Sequence, residues 1–332
     1  MVFVAALLFC AGVGMWLCLL AVRAAKVTLG RRRRRRRAAI LAAITRFRID
    51  RDAPRLAGEL RQADPAALIE LASRLLPLLT SAEREAFETA LARRRLAEFM
   101  TRGMRQANEG RRLLYCELLG ALGGERSIET LWTAIGDRSP AVRIAAAISL
   151  AARREVSDIG ALLARLGGEA RRSARLTYLF DHLVRDRAAE IRGIAGDGAI
   201  EPRVRICAYL ALIGVDEADY LELVPQMAAD PAPEVAAAAV RQLLERPHPQ
   251  AGPLIAGLLA SDSMRVRREA SECAAWLGDS GLAPALRIAL RDRDPLVHAA
   301  AARSLFELAE SVESVGAPHP RIDGPVVGAA LR

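Results

Sequence analysis

The segment Ser139–Leu150, SPAVRIAAAISL, decides the fold because its pattern returns four times further along the chain. The copies are EPRVRICAYLAL (201–212), APEVAAAAVRQL (232–243), SMRVRREASECA (263–274) and DPLVHAAAARSL (294–305). Each copy has a valine at its fourth position, and these valines follow a 31-residue period with one occurrence missing after the first: Val142, Val204, Val235, Val266 and Val297. A constant period indicates a repeated structural unit of that length, with two units between Val142 and Val204.

Two further sets of residues follow the same period. Small residues lie one helical turn after the valines and share their face: Ala146, Ala208, Ala239, Ala270 and Ala301. In the segment before each copy, apolar residues recur in the same register: Leu131, Leu162, Val224, Ile255 and Leu286. Proline stands at the second position of four of the five segments, where it is suited to the first residue of a helix: Pro140, Pro202, Pro233 and Pro295. Each unit is therefore predicted to be a pair of short helices.

Such a pair cannot bury its apolar faces alone, so an all-α fold of stacked pairs, an α-solenoid, is predicted. The pattern that the copies share, called the template below, resembles the HEAT repeat. Its alanine-rich form is similar to the HEAT-like repeats of phycobilisome lyases, and the resemblance covers residues 106 to 310. This resemblance implies a ladder between an aspartate in the turn and an arginine early in the second helix. Asp137 and Arg143 match both positions. Other units keep only one member, which predicts a broken ladder: Arg205, Arg267, Asp230 and Asp292.

The composition agrees with a helical protein and confines its charge to one segment. Hydrophobic residues make up 52% of the chain but aromatic residues only 4%, so small aliphatic side chains dominate. The net charge of +9 lies between residues 23 and 37, which hold nine cations and no acid, and the remainder carries 39 basic and 39 acidic residues. A nucleic-acid groove needs basic charge along the fold, so this distribution argues against nucleic-acid binding.

Residues 1–22 are predicted to form a single transmembrane helix. Val2 to Val22 contains no charged side chain, and about 20 apolar residues span a bilayer. A cleaved signal peptide is the alternative, because Val22-Arg23-Ala24 resembles a cleavage site, but signal peptides carry their cations before the apolar core. Small residues at Ala6, Cys10 and Gly14 form a face through which two such helices could form a homodimer.

The basic segment 23–37 predicts the orientation. Cations beside a span stay on the cytoplasmic side, so we expect an inner-membrane protein with its N-terminus outside and its solenoid in the cytoplasm. Basic residues near a bilayer also attract anionic lipid head groups. The residues predicted to contact the membrane surface are Arg31, Arg32, Arg33, Arg34, Arg35, Arg36 and Arg37.

Residues 38–105 are predicted to be a helical region that links the anchor to the repeats. Asp64-Pro65 has the pattern of a helix start, and Thr80 with Glu83 has the spacing of a capping box. Residues 311–332 are rich in glycine and proline and are predicted to be a flexible tail.

One unit departs from the template. Gly193 stands where the period requires an apolar residue, and the preceding helix carries aromatic and basic side chains. This irregularity predicts either a surface for a partner or a degenerate unit with buried aromatics. The residues that would bind a partner are Arg172, Arg175, Tyr178, Phe180 and His182.

Motifs for chemistry are absent from the sequence. The four histidines form no HxxxH or HExxH motif, and no CxxC pair, phosphate-binding loop or GxSxG motif occurs. The five cysteines lie in apolar runs, which predicts small buried side chains. We therefore expect no catalytic residue, metal or cofactor.

The sequence favours a membrane-anchored, non-enzymatic scaffold that binds a membrane-associated protein through its repeats. A lyase-like enzyme or a chaperone that acts on a bound cofactor or chromophore is the alternative implied by the resemblance. Nucleic-acid binding is third, because the charge outside residues 23–37 is balanced.

Overall fold

A computed structural model describes residues 38–47, 65–75 and 96–313, together with the single positions 50, 55, 56, 58, 60, 80, 83 and 84. All regular structure in this part of the chain, including residues 38–47, is helical. The molecule divides into two compact units after His182.

The helices of the first unit are α1 (Pro65–Leu75), α2 (Leu96–Met104), α3 (Glu109–Leu122), α4 (Glu125–Ala134), α5 (Pro140–Ala152) and α6 (Ile159–Arg171). Helix α7 (Leu176–Gly196) contains the division. The second unit continues with α8 (Pro202–Ile213), α9 (Glu217–Ala228), α10 (Pro233–Glu245), α11 (Ala251–Leu258), α12 (Met264–Leu277), α13 (Ala283–Ala289) and α14 (Pro295–Glu313).

The core follows the 31-residue period. All the repeated valines and the alanines one turn later are buried, and so are the five apolar residues of the preceding helices. The predicted helix pairs and their register are therefore confirmed. Alanine at these positions lets neighbouring second helices approach closely, and α12 and α14 have the most extensive contact.

The predicted helix starts are also confirmed. Proline is the first residue of α1, α5, α8, α10 and α14. Its missing N–H costs nothing there, because the first N–H groups of a helix have no partner within the helix. The predicted capping box forms as well: the Thr80 N–H donates to Glu83 Oε2 at 3.0 Å, and the Glu83 N–H donates to Thr80 Oγ1 at 3.4 Å.

Helix pairing begins earlier than residue 106. Helix α2 lies within the stretch predicted to be a link, yet it packs against both α3 and α4. Its Met100 is fully buried and precedes Leu131 by one 31-residue period, so the two side chains occupy the same position of the repeat. Helices α2 and α3 are therefore a further pair of the array.

Buried arginine–aspartate ion pairs connect successive helix pairs. They are Arg112 with Asp137, Arg205 with Asp230, and Arg267 with Asp292. In the last of them, Arg267 donates from Nε and Nη2 to the two carboxylate oxygens at 2.6 and 3.0 Å. This hydrogen bonding raises the pKa of Arg267 and lowers the pKa of Asp292.

Each of these aspartates also fixes the turn before its own second helix. One carboxylate oxygen accepts a hydrogen bond from the backbone N–H two residues later, at 2.8 Å for Ser139, 2.8 Å for Ala232 and 2.9 Å for Asp294. Each of these carboxylates therefore has both a cation and a backbone N–H as partners, which offsets the free-energy cost of burying its charge.

The ladder is interrupted, but the predicted pairing of its residues is wrong. The prediction paired an aspartate with an arginine of the same helix pair, whereas the contacts join an arginine to the aspartate 25 residues later, in the next pair. The residue 25 positions after Arg143 is Gly168, which has no carboxylate. Arg143 donates instead to the carbonyl oxygens of Leu166 and Asp137, at 2.7 and 2.9 Å. At Ala236 and Ser261 both the arginine and the acid are absent.

The irregular region lies in α7. Arg187 has φ −131° and ψ 27°, so this long helix is interrupted near its middle. Gly193 is exposed, and the apolar residues that face the core there are Ile191, Ile194 and Ala195. The local register has shifted, which explains why a glycine stands where the period requires an apolar residue.

None of the described helices is long and apolar enough to cross a membrane. The predicted transmembrane helix, residues 1–22, and the basic segment, residues 23–37, lie outside the described residues. Of the predicted tail, residues 311–313 belong to α14, and residues 314–332 lie outside the described part.

Candidate partner-binding surface

The predicted aromatic and basic residues separate onto two faces. Tyr178 is 50% exposed, whereas Phe180, two residues later on α7, is completely buried. Two residues of a helix separated by two positions point in different directions. The prediction that Phe180 binds a partner is therefore wrong, since this side chain belongs to the core.

The remaining residues lie on or beside the exposed face. His182 follows Tyr178 by one turn, and Arg175 precedes Tyr178 by three residues. Both side chains are half-buried. Arg172, at the end of α6, is exposed. We call Arg172, Arg175, Tyr178 and His182 the aromatic-basic patch.

One arginine of the patch is paired. Arg175 Nη2 donates to Glu117 Oε1 of α3 at 3.2 Å, and both side chains are about half exposed. An ion pair in this setting contributes little to stability, because water screens it. The patch therefore combines a paired cation with an accessible aromatic ring three residues later in the sequence.

The position of Tyr178 distinguishes it from the rest of the array. Counting by the 31-residue period, its equivalents in four other pairs are buried, whereas Ala302 of α14 is exposed: the buried residues are Ala147, Tyr209, Val240 and Ser271. The sequence signal was the loss of the template, since Ser173 and Thr177 replace its valine and alanine. A position that normally contributes to packing here presents a phenol to solvent.

A second exposed surface was missed by the sequence reasoning. Several large apolar side chains of the last two helix pairs are exposed: Met264, Trp276, Ile288, Leu296 and Phe306. Trp276 is 65% exposed and Phe306 63%. Both lie outside the repeated valine and alanine positions, which is the signal that could have identified them. Exposed aromatic side chains are enriched at protein interfaces.

The aromatic cluster around Tyr220 is internal. The Arg246 guanidinium carbon lies 4.1 Å from the centre of the Tyr220 ring, and the tyrosine hydroxyl donates to the Arg246 carbonyl at 2.7 Å. His248 contacts the same ring edge-on, with 5.4 Å between ring centres. Burial raises the pKa of Tyr220. These contacts tie the loop after α10 to α9, so the cluster stabilises one helix pair.

The cysteines of the described part are buried and unpaired, as predicted: Cys116, Cys207 and Cys273. Burial raises the pKa of Cys116 and of Cys273 to about 12, so both thiols stay protonated at neutral pH and are poor nucleophiles. Within the described residues, no three His, Cys, Asp or Glu side chains are grouped so that they could hold a metal ion.

Comparison with known sequences identifies one family. The sequence model of the HEAT repeats matches residues 97–179 and 220–305, together just over half of the chain. No curated protein matches the chain.

Several solved structures are similar. Human deoxyhypusine hydroxylase in complex with glycerol is 14% identical, with 74% of this chain and 93% of that chain covered and a TM-score of 0.33. The Escherichia coli protein YibA is 20% identical, with 76% and 95% covered and a TM-score of 0.33. An engineered protein is 18% identical, with 71% and 96% covered and a TM-score of 0.26.

Proposed function

Because the chain belongs to the HEAT repeat family, we propose that it is a membrane-anchored scaffold that binds a protein partner through exposed residues of its helix pairs. The observation that carries this proposal is the exposure of the large aromatic side chain of Tyr178 at a position that most other helix pairs bury. The proposed role requires binding and no catalysis.

The chemistry of the patch favours a protein with an acidic surface. Tyr178 supplies a rigid apolar ring with a polar hydroxyl, and Arg172 and Arg175 supply cations beside it. Tyrosine and arginine are enriched among the residues that contribute most to protein interfaces. A carboxylate of the partner can replace Glu117 on Arg175, because this ion pair is solvent-exposed and weak.

The anchor is the second part of the proposal. Residues 1–22 form the span, and Arg31 to Arg37 contact anionic head groups on the cytoplasmic side of the inner membrane. Anchoring raises the local concentration of the patch near membrane-associated partners without adding contacts. The uncharged length of the span and the cations that follow it support this part.

The binding role can be tested by photo-crosslinking in native membranes. A photoreactive phenylalanine analogue replaces Tyr178 in the full chain, and the same analogue replaces Leu221, an exposed apolar residue of α9, as the control. We expect a reproducible protein adduct from position 178 and a different or weaker pattern from position 221. Identical patterns, or no adduct from position 178, would contradict the proposed site.

The anchor has an independent test. Full-length protein should remain in the membrane fraction after extraction with alkaline carbonate, whereas a chain that begins at Ala38 should be released. Replacement of Arg31 to Arg37 by glutamine should weaken binding of the protein to vesicles that contain phosphatidylglycerol but not to neutral vesicles. Release of the full chain by carbonate would exclude a transmembrane anchor.

A further inference from the structure

The interruption of the ladder between α10 and α12 coincides with a groove. Ala236 stands at the position of the ladder arginines Arg205 and Arg267, and Ser261 stands at the position of the ladder aspartates. Both residues line a groove of about 500 Å³ between the turn after α9 and the turn after α11. Alanine is too short to reach the next turn as the ladder arginines do.

One side of the groove keeps an acceptor that holds a guanidinium elsewhere. Arg112, Arg205 and Arg267 each donate to the carbonyl oxygen five residues earlier, at 2.9, 3.1 and 2.9 Å. Five residues before Ala236, this oxygen belongs to Pro231, which lines the groove. Among the described residues no group donates to it. The Pro231 carbonyl is therefore available at the place of the repeat where a ladder arginine donates.

The other side keeps part of the role of the aspartate. Ser261 Oγ accepts a hydrogen bond from the Ser263 N–H at 3.3 Å, as a ladder aspartate does from the N–H two residues later. The negative charge that Ser261 lacks is present one residue later, at the exposed Asp262, which also lines the groove. Arg267 donates to the backbone carbonyl of Asp262 and pairs with the Asp292 carboxylate. Within the described part of the chain, the Asp262 carboxylate has no ion-pair partner.

Grooves at two other turns have the opposite charge. Each is lined by one acidic residue and by more than one arginine. The arginines are Arg112 and Arg138 in the first groove, and Arg267, Arg287 and Arg291 in the second. The groove at Ala236 has Asp230 and Asp262 in its lining and no basic residue among the described ones. Since Arg205 neutralises Asp230 but not Asp262, charge complementarity favours a cation in this groove.

A guanidinium suits the groove better than an ammonium. It is planar, has five N–H donors in fixed directions and is more weakly hydrated, so it loses less when it leaves water. The ladder shows this chemistry at the equivalent place. Arg112, Arg205 and Arg267 each bind a carboxylate and a backbone carbonyl at the same time.

We propose that the groove lined by Pro231, Ala236, Ser261 and Asp262 binds an arginine side chain of a partner protein. The guanidinium donates to the Pro231 carbonyl oxygen and forms an ion pair with the Asp262 carboxylate. The partner thereby supplies the cation that Ala236 lacks. This site shares no residue with the aromatic-basic patch, so either site can fail its test without the other.

The test uses disulfide exchange at a cysteine beside the groove, in the full chain. Ala260→Cys places a thiol at an exposed lining position. Mercaptoethylguanidine and its neutral urea analogue compete for this thiol under mildly reducing conditions. Mass spectrometry of the peptide that contains position 260 measures the ratio of the two mixed disulfides. We expect the guanidine to be favoured several-fold, because its head group reaches the Pro231 carbonyl and the Asp262 carboxylate.

Arg291→Cys is the matched control, because position 291 lies one period later and beside the groove that already holds Arg267. The guanidine should have no advantage there. In the Ala260→Cys chain, Asp262→Asn at an exposed position should reduce the preference without affecting folding. Ala236→Arg together with Ser261→Asp should abolish it, because the chain then supplies its own ladder pair.

Three outcomes would overturn the proposal. The first is equal labelling of position 260 by the guanidine and the urea, or a preference that survives both sets of substitutions. The second is an equal or greater preference for cysteamine, the corresponding amine, because the groove would then select charge and not arginine. The third is a preference that disappears as the protein concentration rises, because a second copy of this chain would then occupy the groove.

Discussion

Helices α9 to α12 and helices α6 to α7 contain the same type of unit, but only the first region keeps the template. In α10 and α12 the repeated valine and alanine are buried, and the helices have 13 and 14 residues. Ser173, in the turn before α7, and Thr177 in α7 occupy the equivalent positions, and α7 has 21 residues with an interruption at Arg187. Loss of the template therefore shifts the local register and places Tyr178 on the surface, while the core is still filled.

The largest expected effect comes from breaking the regular region at its closest contact. Ala239→Glu places a carboxylate at a fully buried position between second helices and should cost about 5 kcal/mol of unfolding free energy. Chemical denaturation followed by circular dichroism measures the loss. Ala164→Glu, at an exposed position of α6, is the control and should be within about 0.5 kcal/mol of the unmodified protein. A normal unfolding free energy for Ala239→Glu would show that the register is misassigned.

In the irregular region, the two aromatic residues of α7 should differ strongly. Phe180→Ala removes a fully buried ring and should cost about 4 kcal/mol. Tyr178→Ala removes a half-exposed ring and should change the unfolding free energy by less than about 1 kcal/mol. Denaturation of both variants measures the difference. If the two losses were equal, Tyr178 would be part of the core and unsuited to bind a partner.

The contribution of one ladder ion pair to stability can be measured with substitutions that already occur at the equivalent positions of another helix pair. Arg205→Ala leaves Asp230 buried without its cation and should cost about 3 kcal/mol. Adding Asp230→Ser copies the combination Ala236 and Ser261, and most of the loss should be recovered. A double-mutant cycle of unfolding free energies measures this coupling. Strictly additive losses would show that the two side chains do not stabilise each other.

The smallest effect is the dependence of stability on pH. The hydrogen bond from Arg267 lowers the pKa of Asp292 in the folded protein. The stabilisation is therefore complete above the ordinary aspartate pKa of about 4 and is lost as the pH falls through the lower, folded-state pKa. Asp292→Asn should be less stable at pH 6, and its stability should fall less between pH 5 and pH 2. If the unfolding free energies of both proteins changed with pH in the same way, the Arg267–Asp292 ion pair would not contribute the proposed stabilisation.

Periodicity alone predicted the regular region. The spacing of Val235, Val266 and Val297, together with Pro233 and Pro295, predicted the helix starts and the buried faces, because stacked identical pairs must bury equivalent residues. The signal for an earlier pair was also present, since Met100 precedes Leu131 by one full period.

The ladder and the patch were harder to predict. An arginine and its aspartate are 25 residues apart and belong to different pairs, so the pattern within one unit indicated the wrong partner, Arg143, for Asp137. The faces of Tyr178 and Phe180 depend on the rotation of α7, and the template that fixes this rotation elsewhere is missing there. The membrane anchor and the contacts of Arg31 to Arg37 stay predictions, because these residues lie outside the described part.

Each ladder aspartate has one partner in its own helix pair and one in the preceding pair, so the contacts along the array are directional. Asp230 accepts a hydrogen bond from the turn of its own pair and binds Arg205 of the pair before it, so local opening of that turn leaves Arg205 without its counterion. Opening therefore spreads towards the N-terminus. At Ala236 and Ser261 no such pair exists, and hydrogen exchange in the helices of the second unit should divide there into two cooperative blocks.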